Sequence, residues 1–259
     1  MSPPEPLVTV VLPVYNGERY LAAAIDSVLS QSHCAIELVA VDDGSTDGTA
    51  AILRAYGDRL RSEWQPNRGA GAARNRGVEL ALGELLGFLD ADDIWVEGRV
   101  ARQVAVLAGD PDCEAVLGRV EHFHSPELDD VQRGRIVEPA AAPGAFHAGT
   151  MLIRRASFLR VGYLPTTYKL GEFIDWYLRA QEAGLRSVTL PEVALRRRLH
   201  LGHVGLRERQ YRSDYVRIVK AAMDRRRVVP RNRPQSTRHL LKKSPSMFGR
   251  QSPVSSRLR

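Results

Sequence analysis

Short apolar runs separated by turn residues mark the strands in the first third of the chain. Val8–Val14 is rich in valine and ends at a Tyr-Asn-Gly turn, and Ile36–Val41 ends in a crowd of Asp, Gly, Ser and Thr residues. A third run covers residues 84–89, and Arg61–Trp64 is predicted as a shorter strand. Continuous apolar runs of this length are typical of strands that are buried on both faces of a sheet.

Between these runs, apolar residues recur at helical intervals. In residues 18–31, Leu21 and Ile25 fall on one helix face. Residues 46–56 and 69–82 are predicted as the next two helices. Strand and helix therefore alternate, which predicts βαβ units and an α/β protein with a Rossmann-like, mostly parallel sheet flanked by helices.

The second half of the chain is less regular. Residues 125–144 are rich in Pro, Asp and Glu and are predicted to form a loop. The remaining segments are predicted as strands over residues 114–123 and 145–155, helices over 171–185 and 207–227, and either a strand pair or a strand and a loop over 186–200. These segments are expected to complete one folded domain over residues 1–222, in which 8–108 and 109–222 are two halves.

Positive charge is concentrated at the end of the chain. The net charge is +7, but residues 224–259 carry eleven Lys and Arg against one Asp, which is +10 and leaves −3 for the rest. Residues 223–259 are therefore predicted as a basic, disordered tail. We expect this tail to contact an anionic membrane or a partner protein. Nucleic acid is not an expected partner, because the tail lacks interleaved aromatic residues.

Other features of the composition indicate a cytoplasmic protein, peripheral at the inner membrane face if the tail binds there. No stretch approaches the ~20 apolar residues of a membrane helix. The N-terminal residues have neither the basic stretch nor the apolar core of a signal peptide. Cys34 and Cys113 have no metal-binding or disulfide-framework spacing.

Three polar clusters each follow a predicted strand, at residues 13–18, 42–48 and 90–93. Ligands of open α/β sheets bind beyond the carboxyl ends of the strands, so the clusters should meet at one edge. In the third cluster, Asp90 and Asp92 have the spacing and oxygen ligands to bind a hard divalent cation. The alternative is a solvated acidic loop that caps the following helix.

Three segments carry a family resemblance through their order and separation: VVLPVYNGERYLAAAIDSVLSQ, LVAVDDGSTDGTAAIL and NRGAGAARNRGVELALGELLGFLDADDIW. The chain resembles the family 2 inverting glycosyltransferases, which have the GT-A fold, from Val8 to Ala108 and more weakly to His200. The resemblance implies metal-dependent transfer of a sugar from a nucleotide-diphosphate donor, with a UDP-sugar favoured. The acceptor would be a hydroxyl-bearing molecule or a peptide.

The resemblance also assigns residues to the nucleotide sugar. Asp43 would accept a hydrogen bond from the base, although a helix cap is the alternative role. Arg68 and Arg74 would contact the base or the phosphates. The full set that the resemblance places at the nucleotide sugar is Pro13, Tyr15, Asn16, Glu18, Asp43, Arg68, Arg74, Asp90 and Ala91.

Asp92 and His200 are the residues that the resemblance assigns to the metal, with Mn²⁺ or Mg²⁺ as the ion. Such an ion would stabilise the diphosphate leaving group. His200 is alternatively a phosphate contact, together with Arg198, or a structural histidine. Asp93 is expected to fix the acidic loop, and no role is predicted for His147 or the other histidines.

The general base is harder to assign. In the family it is usually the Asp of a Glu-Asp pair at the start of a helix, but here Phe173 follows Glu172. We predict Asp175 as the base and Glu172 as the alternative, unless both acids only stabilise the first turn of the helix. If the base is lost, the chain would bind a nucleotide sugar without transferring it. A nucleotidyltransferase is a further alternative, but the expected Gly-rich basic loop after the first strand is missing.

Overall fold

The computed structural model describes residues 5–33, 35–136, 147–202 and 211–228. A single mixed sheet has the strand order β3-β2-β1-β4-β7-β6-β8-β5. Its strands are β1 (Val8–Val14), β2 (Ile36–Asp42), β3 (Arg61–Trp64), β4 (Leu85–Phe88), β5 (Ile94–Trp95), β6 (Ala115–His124), β7 (Leu152–Arg154) and β8 (Ser187–Leu199). The helices are α1 (Leu21–Leu29), α2 (Thr49–Tyr56), α3 (Ala70–Leu80), α4 (Arg99–Gly109), α5 (Asp130–Gly134), α6 (Arg155–Val161), α7 (Glu172–Glu182) and α8 (Ser213–Val228).

Strand direction divides the sheet into two parts. The pairs β1–β2, β2–β3 and β1–β4 are parallel, which confirms the βαβ arrangement expected for the first half. The pairs β4–β7, β6–β7 and β5–β8 are antiparallel, while β6–β8 is parallel. The class is α/β as predicted, and each antiparallel pair includes a strand from the second half.

Several element boundaries differ from the predicted ones. α1 begins at Leu21 because the amides of Tyr20 and Leu21 both bond to the carbonyl of Gly17, so the preceding residues form a turn. α2 begins at Thr49, since residues 46–48 are held in the loop described below. The segment 186–200, for which two arrangements were considered, contains the single strand β8.

Three elements were not expected from the sequence. The two-residue strand β5 pairs with β8, α5 lies within the predicted loop, and α6 follows β7 directly. α8 runs to Val228, past the domain boundary expected after residue 222. Residues 207–210 of the predicted helix, Cys34, and the tail beyond residue 228 lie outside the described residues. Among the helices that are described, none has the length and apolarity to cross a membrane.

The core lies on both faces of the sheet. Along β1, Val10 and Leu12 pack into one cluster with α1 and α4, while Val11 packs into the other with α6 and α7. α3 lies close against β1 at Gly77, where an added Cβ would be 2.2 Å from Val11 Cγ1. This close contact holds α3 against β1.

Candidate functional site

The loops after β1 and β2 interlock at the edge predicted for the site. Asn16 has a φ of 51°. Its side-chain Oδ1 accepts a hydrogen bond from the Thr46 backbone amide (2.8 Å), and its backbone amide donates one to Ser45 Oγ (2.9 Å). Glu18 Oε2 accepts from the Gly48 amide (2.7 Å). The first two polar clusters therefore converge as expected, with Asn16 and Glu18 shaping the loops.

Three other residues of the predicted nucleotide-sugar set differ in accessibility. Pro13 is buried within β1, opposite Val41. Tyr15 is 43% exposed at the rim, where its ring is free to stack on a planar ligand. Ala91 is partly buried against the core next to the β1–α1 loop. Of these three, Tyr15 offers the most surface to a ligand.

Asp43 anchors the loop that precedes α3. Its Oδ1 accepts from Gln65 Nε2 (2.7 Å) and the Arg68 amide (2.8 Å), and its Oδ2 accepts from the Gly69 amide (2.8 Å). The residue is buried, so it holds the loop and neither caps α2 nor opens to solvent. The Arg68 side chain is exposed, and only its backbone joins this network.

Arg74 connects the two halves of the site. Its guanidinium is buried and donates through Nη1 to Glu172 Oε1 and through Nη2 to Asp90 Oδ1. Glu172 is the first residue of α7, and Asp90 follows β4. Both terminal nitrogens are thus committed to carboxylates, which corrects the expectation that Arg74 contacts the base or the phosphates.

The carboxylates of the acidic cluster, Asp90 and Asp93, differ in pKa. Burial acts to raise the pKa of Asp90, but the charges of Arg74 and His147 and the Arg74 hydrogen bond outweigh it and lower the pKa to about 2. The pKa of Asp93 is raised well above its usual range by burial and by the neighbouring Asp92 and Asp90 charges. Added positive charge would therefore stabilise this cluster, and the donor set of carboxylate oxygens and imidazoles fits a divalent ion.

His147 is a site residue that the sequence analysis missed. Its Nε2 lies 3.9 Å from Asp90 Oδ2 and 4.0 Å from Asp93 Oδ2, and the three ligand atoms are close enough for one ion. Its Nδ1 accepts from the Gly149 amide (3.1 Å), so in the neutral imidazole Nε2 carries the hydrogen. Burial lowers the pKa of His147 to about 4, although the negative charge of Asp90 acts to raise it. In this tautomer His147 points a donor at the carboxylates.

Asp92 and His200, the two predicted metal ligands, lie together, and their binding of an ion stays a prediction. His200 Nε2 is 3.0 Å from Asp92 Oδ2, and its ring packs edge-on against Tyr20. Arg198 donates from Nε to the Asp92 carbonyl and from its amide to Asp93 Oδ1 (2.9 Å). Asp93 therefore fixes the acidic loop to β8, and Arg198 is committed to that loop and not open to a phosphate.

The two acids of α7 have different surroundings. Asp175 is buried, with Oδ2 accepting from Arg179 Nε (2.9 Å) and Oδ1 from Arg225 Nη1 (3.3 Å). Glu172 uses Oε1 for Arg74, and among the described residues none bonds to its Oε2. Phe173 stacks on Trp176 in the core. The geometry therefore speaks against Asp175 as the base and favours Glu172.

A family model matches more than half of the chain. The model for glycosyl transferase family 2 covers residues 9–164. An uncharacterized glycosyltransferase of Rickettsia typhi is 39% identical over 102 residues, which is 39% of this chain and 32% of that protein. The putative teichuronic acid biosynthesis glycosyltransferase TuaG of Bacillus subtilis is 41% identical over 107 residues, 40% of this chain and 42% of TuaG. This chain thus spans less than half the length of these relatives.

Solved structures share the fold over most of the chain. S. aureus TarS 1–349 in complex with UDP-GlcNAc has a TM-score of 0.66 at 20% identity, over 83% of this chain and 65% of that one. At that identity the likeness shows the fold alone. The mannosyltransferase PcManGT from Pyrobaculum calidifontis, in complex with GDP-Man and Mn²⁺, has a TM-score of 0.63 at 25% identity, over 85% of this chain and 65% of that one.

Proposed function

This chain belongs to glycosyl transferase family 2 and has the GT-A fold, and on that premise we propose that it transfers a sugar from a nucleotide-diphosphate donor to an acceptor. The observation that carries the proposal is the Arg74 bridge. One buried guanidinium joins Asp90 of the acidic motif to Glu172, the acid at the start of α7. A transferase needs both groups at one site, whereas a solvated acidic loop needs neither the bridge nor the burial.

A UDP-sugar is the favoured donor. Proteins of the same fold bind UDP-GlcNAc in one case and GDP-Man in another, so the fold accommodates nucleotide sugars with different bases. In this chain the exposed Tyr15 ring and the loop held by Asp43 line the edge where the base would lie. The loops after β1 and β2 are locked to each other, which gives the donor a preformed site.

The acidic motif would hold a divalent ion, Mn²⁺ or Mg²⁺. Asp92 and His200 are the proposed ligands, because they already lie side by side and His200 is partly accessible. Mn²⁺ accepts this mixture of carboxylate and imidazole donors more readily than Mg²⁺. When bound, the ion supplies Lewis-acid stabilisation of the diphosphate leaving group. His147 would lie beside the ion, with its Nε2 3.9 Å from Asp90 Oδ2 and 4.0 Å from Asp93 Oδ2.

Transfer with inversion requires one base on the face of the sugar opposite the leaving group. We assign Glu172, whose Oε2 takes the proton of the acceptor hydroxyl while the acceptor oxygen forms the new bond to the anomeric carbon. The bond from that carbon to the diphosphate breaks as the new bond forms. Arg74 holds Glu172 through Oε1 and so presents Oε2 in a fixed direction. The acceptor class is a hydroxyl-bearing molecule or a peptide.

One observation favours a second function. Phe173 occupies the position where the family has the second acid of its pair, and it is packed on Trp176 in the core. If Glu172 cannot replace that acid, the protein binds a nucleotide sugar without transferring it. Nucleotide release from the donor separates the two functions, because a binding protein retains the donor intact.

Calorimetric titration of UDP tests the donor and metal part of the proposal. UDP should bind in the presence of Mn²⁺ and lose most of its affinity in EDTA, because clustered carboxylates repel an unaccompanied diphosphate. Asp92→Asn should abolish the increase in UDP affinity that Mn²⁺ produces. Asp112→Asn is the matched control, since Asp112 is an exposed acid paired only with Arg186 in the described chain. Equal affinity in Mn²⁺ and in EDTA would refute the metal bridge.

A further inference from the structure

The last helix, α8, presents two apolar stripes. The buried stripe contains Ile218 and Ala222, which pack on the domain. The outer stripe consists of Val216, Val219 and Met223, which are 70%, 52% and 51% exposed. Their spacing of three and four residues places them on one face of the helix, about a third of a turn from the buried stripe. Side chains of this size, grouped and exposed, indicate a contact surface.

Charge along α8 is arranged around the outer stripe. Lys220, Arg226 and Arg227 are exposed on either side of it. Of the two acids of the helix, Asp214 is buried and accepts from the Lys169 amide, whereas Asp224 pairs with Arg227 on the margin of the stripe. Arg226 pairs with Glu182 of α7. The chain continues from α8 into the basic residues counted above, where eleven Lys and Arg face one Asp in residues 224–259. The stripe therefore has Lys220 and two paired arginines beside it, and the residues that follow α8 in the sequence are basic.

We propose that the outer stripe of α8 docks on an anionic lipid surface. An amphipathic helix with apolar residues on one face and Lys and Arg beside them lies in the plane of a membrane interface, where both features are stabilised. A second copy of this chain fits less well, because a two-fold contact through the stripe would bring the cationic margins against each other. The basic segment that follows α8 adds further positive charge, which an anionic lipid surface attracts.

Docking through this surface bears on the acceptor, and this consequence rests on the proposed function. α8 packs against the start of α7, where an added Cβ at Gly171 would lie 2.9 Å from Ile218 Cδ1 and 3.0 Å from Tyr215. Gly171 directly precedes Glu172, the proposed base. A membrane that holds α8 would thus lie near the start of α7, which suits an acceptor carried by a lipid.

Vesicle co-sedimentation of the full chain tests the proposal. The chain should bind phosphatidylcholine vesicles that contain phosphatidylglycerol and not vesicles of phosphatidylcholine alone. Val219→Glu with Met223→Glu should weaken binding roughly 30-fold, since each unit charge near an anionic surface changes binding about fivefold. The matched control is Leu82→Glu with Val131→Glu, which adds the same charge at exposed apolar residues on other elements and should change nothing. Lys220→Glu, on the margin, should weaken binding similarly without touching the stripe.

Three results would overturn the proposal. Absence of binding to the anionic vesicles would exclude a lipid surface. Equal binding by the stripe variant, the Lys220→Glu variant and the control would assign the attraction to the basic segment alone. A mass in light scattering that falls from dimer to monomer in the stripe variant would show that a second copy covers the stripe. Mn²⁺-dependent UDP binding, measured on the same variants, should be unchanged, so a failure of lipid docking is distinguishable from a failure of the proposed function.

Discussion

Replacing Arg74 by methionine gives the sharpest test of how the site is assembled. The substitution keeps the length and apolar stem of the side chain but removes the cation between Asp90 and Glu172. Both carboxylates then remain, partly or largely buried, without their partner. Loss of one member of a buried ionic group is strongly destabilising for this reason.

The magnitude follows from the burial of the three groups. Side-chain exposure is 7% for Arg74, 14% for Glu172 and 27% for Asp90. One ion pair at ~4 Å contributes about 4 kcal/mol at an effective dielectric constant of about 20. Two such pairs, offset by the desolvation of Arg74 and by the solvent access of Asp90, give an expected loss of about 3–5 kcal/mol in the free energy of unfolding.

Urea denaturation in EDTA is the assay, and Arg76→Met is the matched control. Arg76 lies on the same helix and also pairs with two carboxylates, Glu63 and Glu79, but its side chain is 39% exposed. Its replacement should cost less than about 1 kcal/mol. Adding Glu172→Gln to Arg74→Met should recover part of the loss, since one uncompensated charge is removed. Equal losses for Arg74→Met and Arg76→Met would refute the reasoning.

Two further substitutions test the fold and the site. Gly77→Val should lower the free energy of unfolding by at least about 1–3 kcal/mol, because its Cβ would overlap Val11. Gly109→Val is the control, because Gly109 has open space around it, and it should change the melting temperature little. His147→Gln should reduce Mn²⁺ affinity in calorimetry by about 10–100-fold, as expected for a residue beside the metal ligands, while Asp92→Asn should remove Mn²⁺ binding. Equal loss in both variants would make His147 a direct ligand.

The sequence predicts the parts of this protein that depend on local pattern. β1 and β2 were predicted within a residue because their apolar runs are bounded by strong turn residues, and the bounds predicted for β3, which is not an apolar run, also match. β5 has two residues and exists only through its pairing with β8, so no local pattern could reveal it. The antiparallel strands of the second half depend in the same way on partners distant in sequence.

Most residues of the site could be predicted from the sequence, but the contacts between them could not. The resemblance brought together Asp92 and His200, which the structure places 3.0 Å apart. It could not show that Arg74 pairs with Glu172, 98 residues away, or that Asp175 is enclosed by two arginines. Such contacts depend on how α7 packs against α3 and α8. His147 was missed because a lone histidine carries no spacing signal, although it precedes β7, the neighbour of β4.

Nucleotide release from a panel of UDP- and GDP-sugars in the presence of Mn²⁺ tests the central claim most directly. The account predicts Mn²⁺-dependent release by the wild-type protein from at least one donor, faster when an acceptor is present. Glu172→Gln should bind that donor but release nucleotide about 10²–10⁴-fold more slowly. Asp175→Asn should retain release, because its carboxylate is occupied by Arg179 and Arg225. Tight donor binding without release from any sugar nucleotide would contradict the claim of transfer.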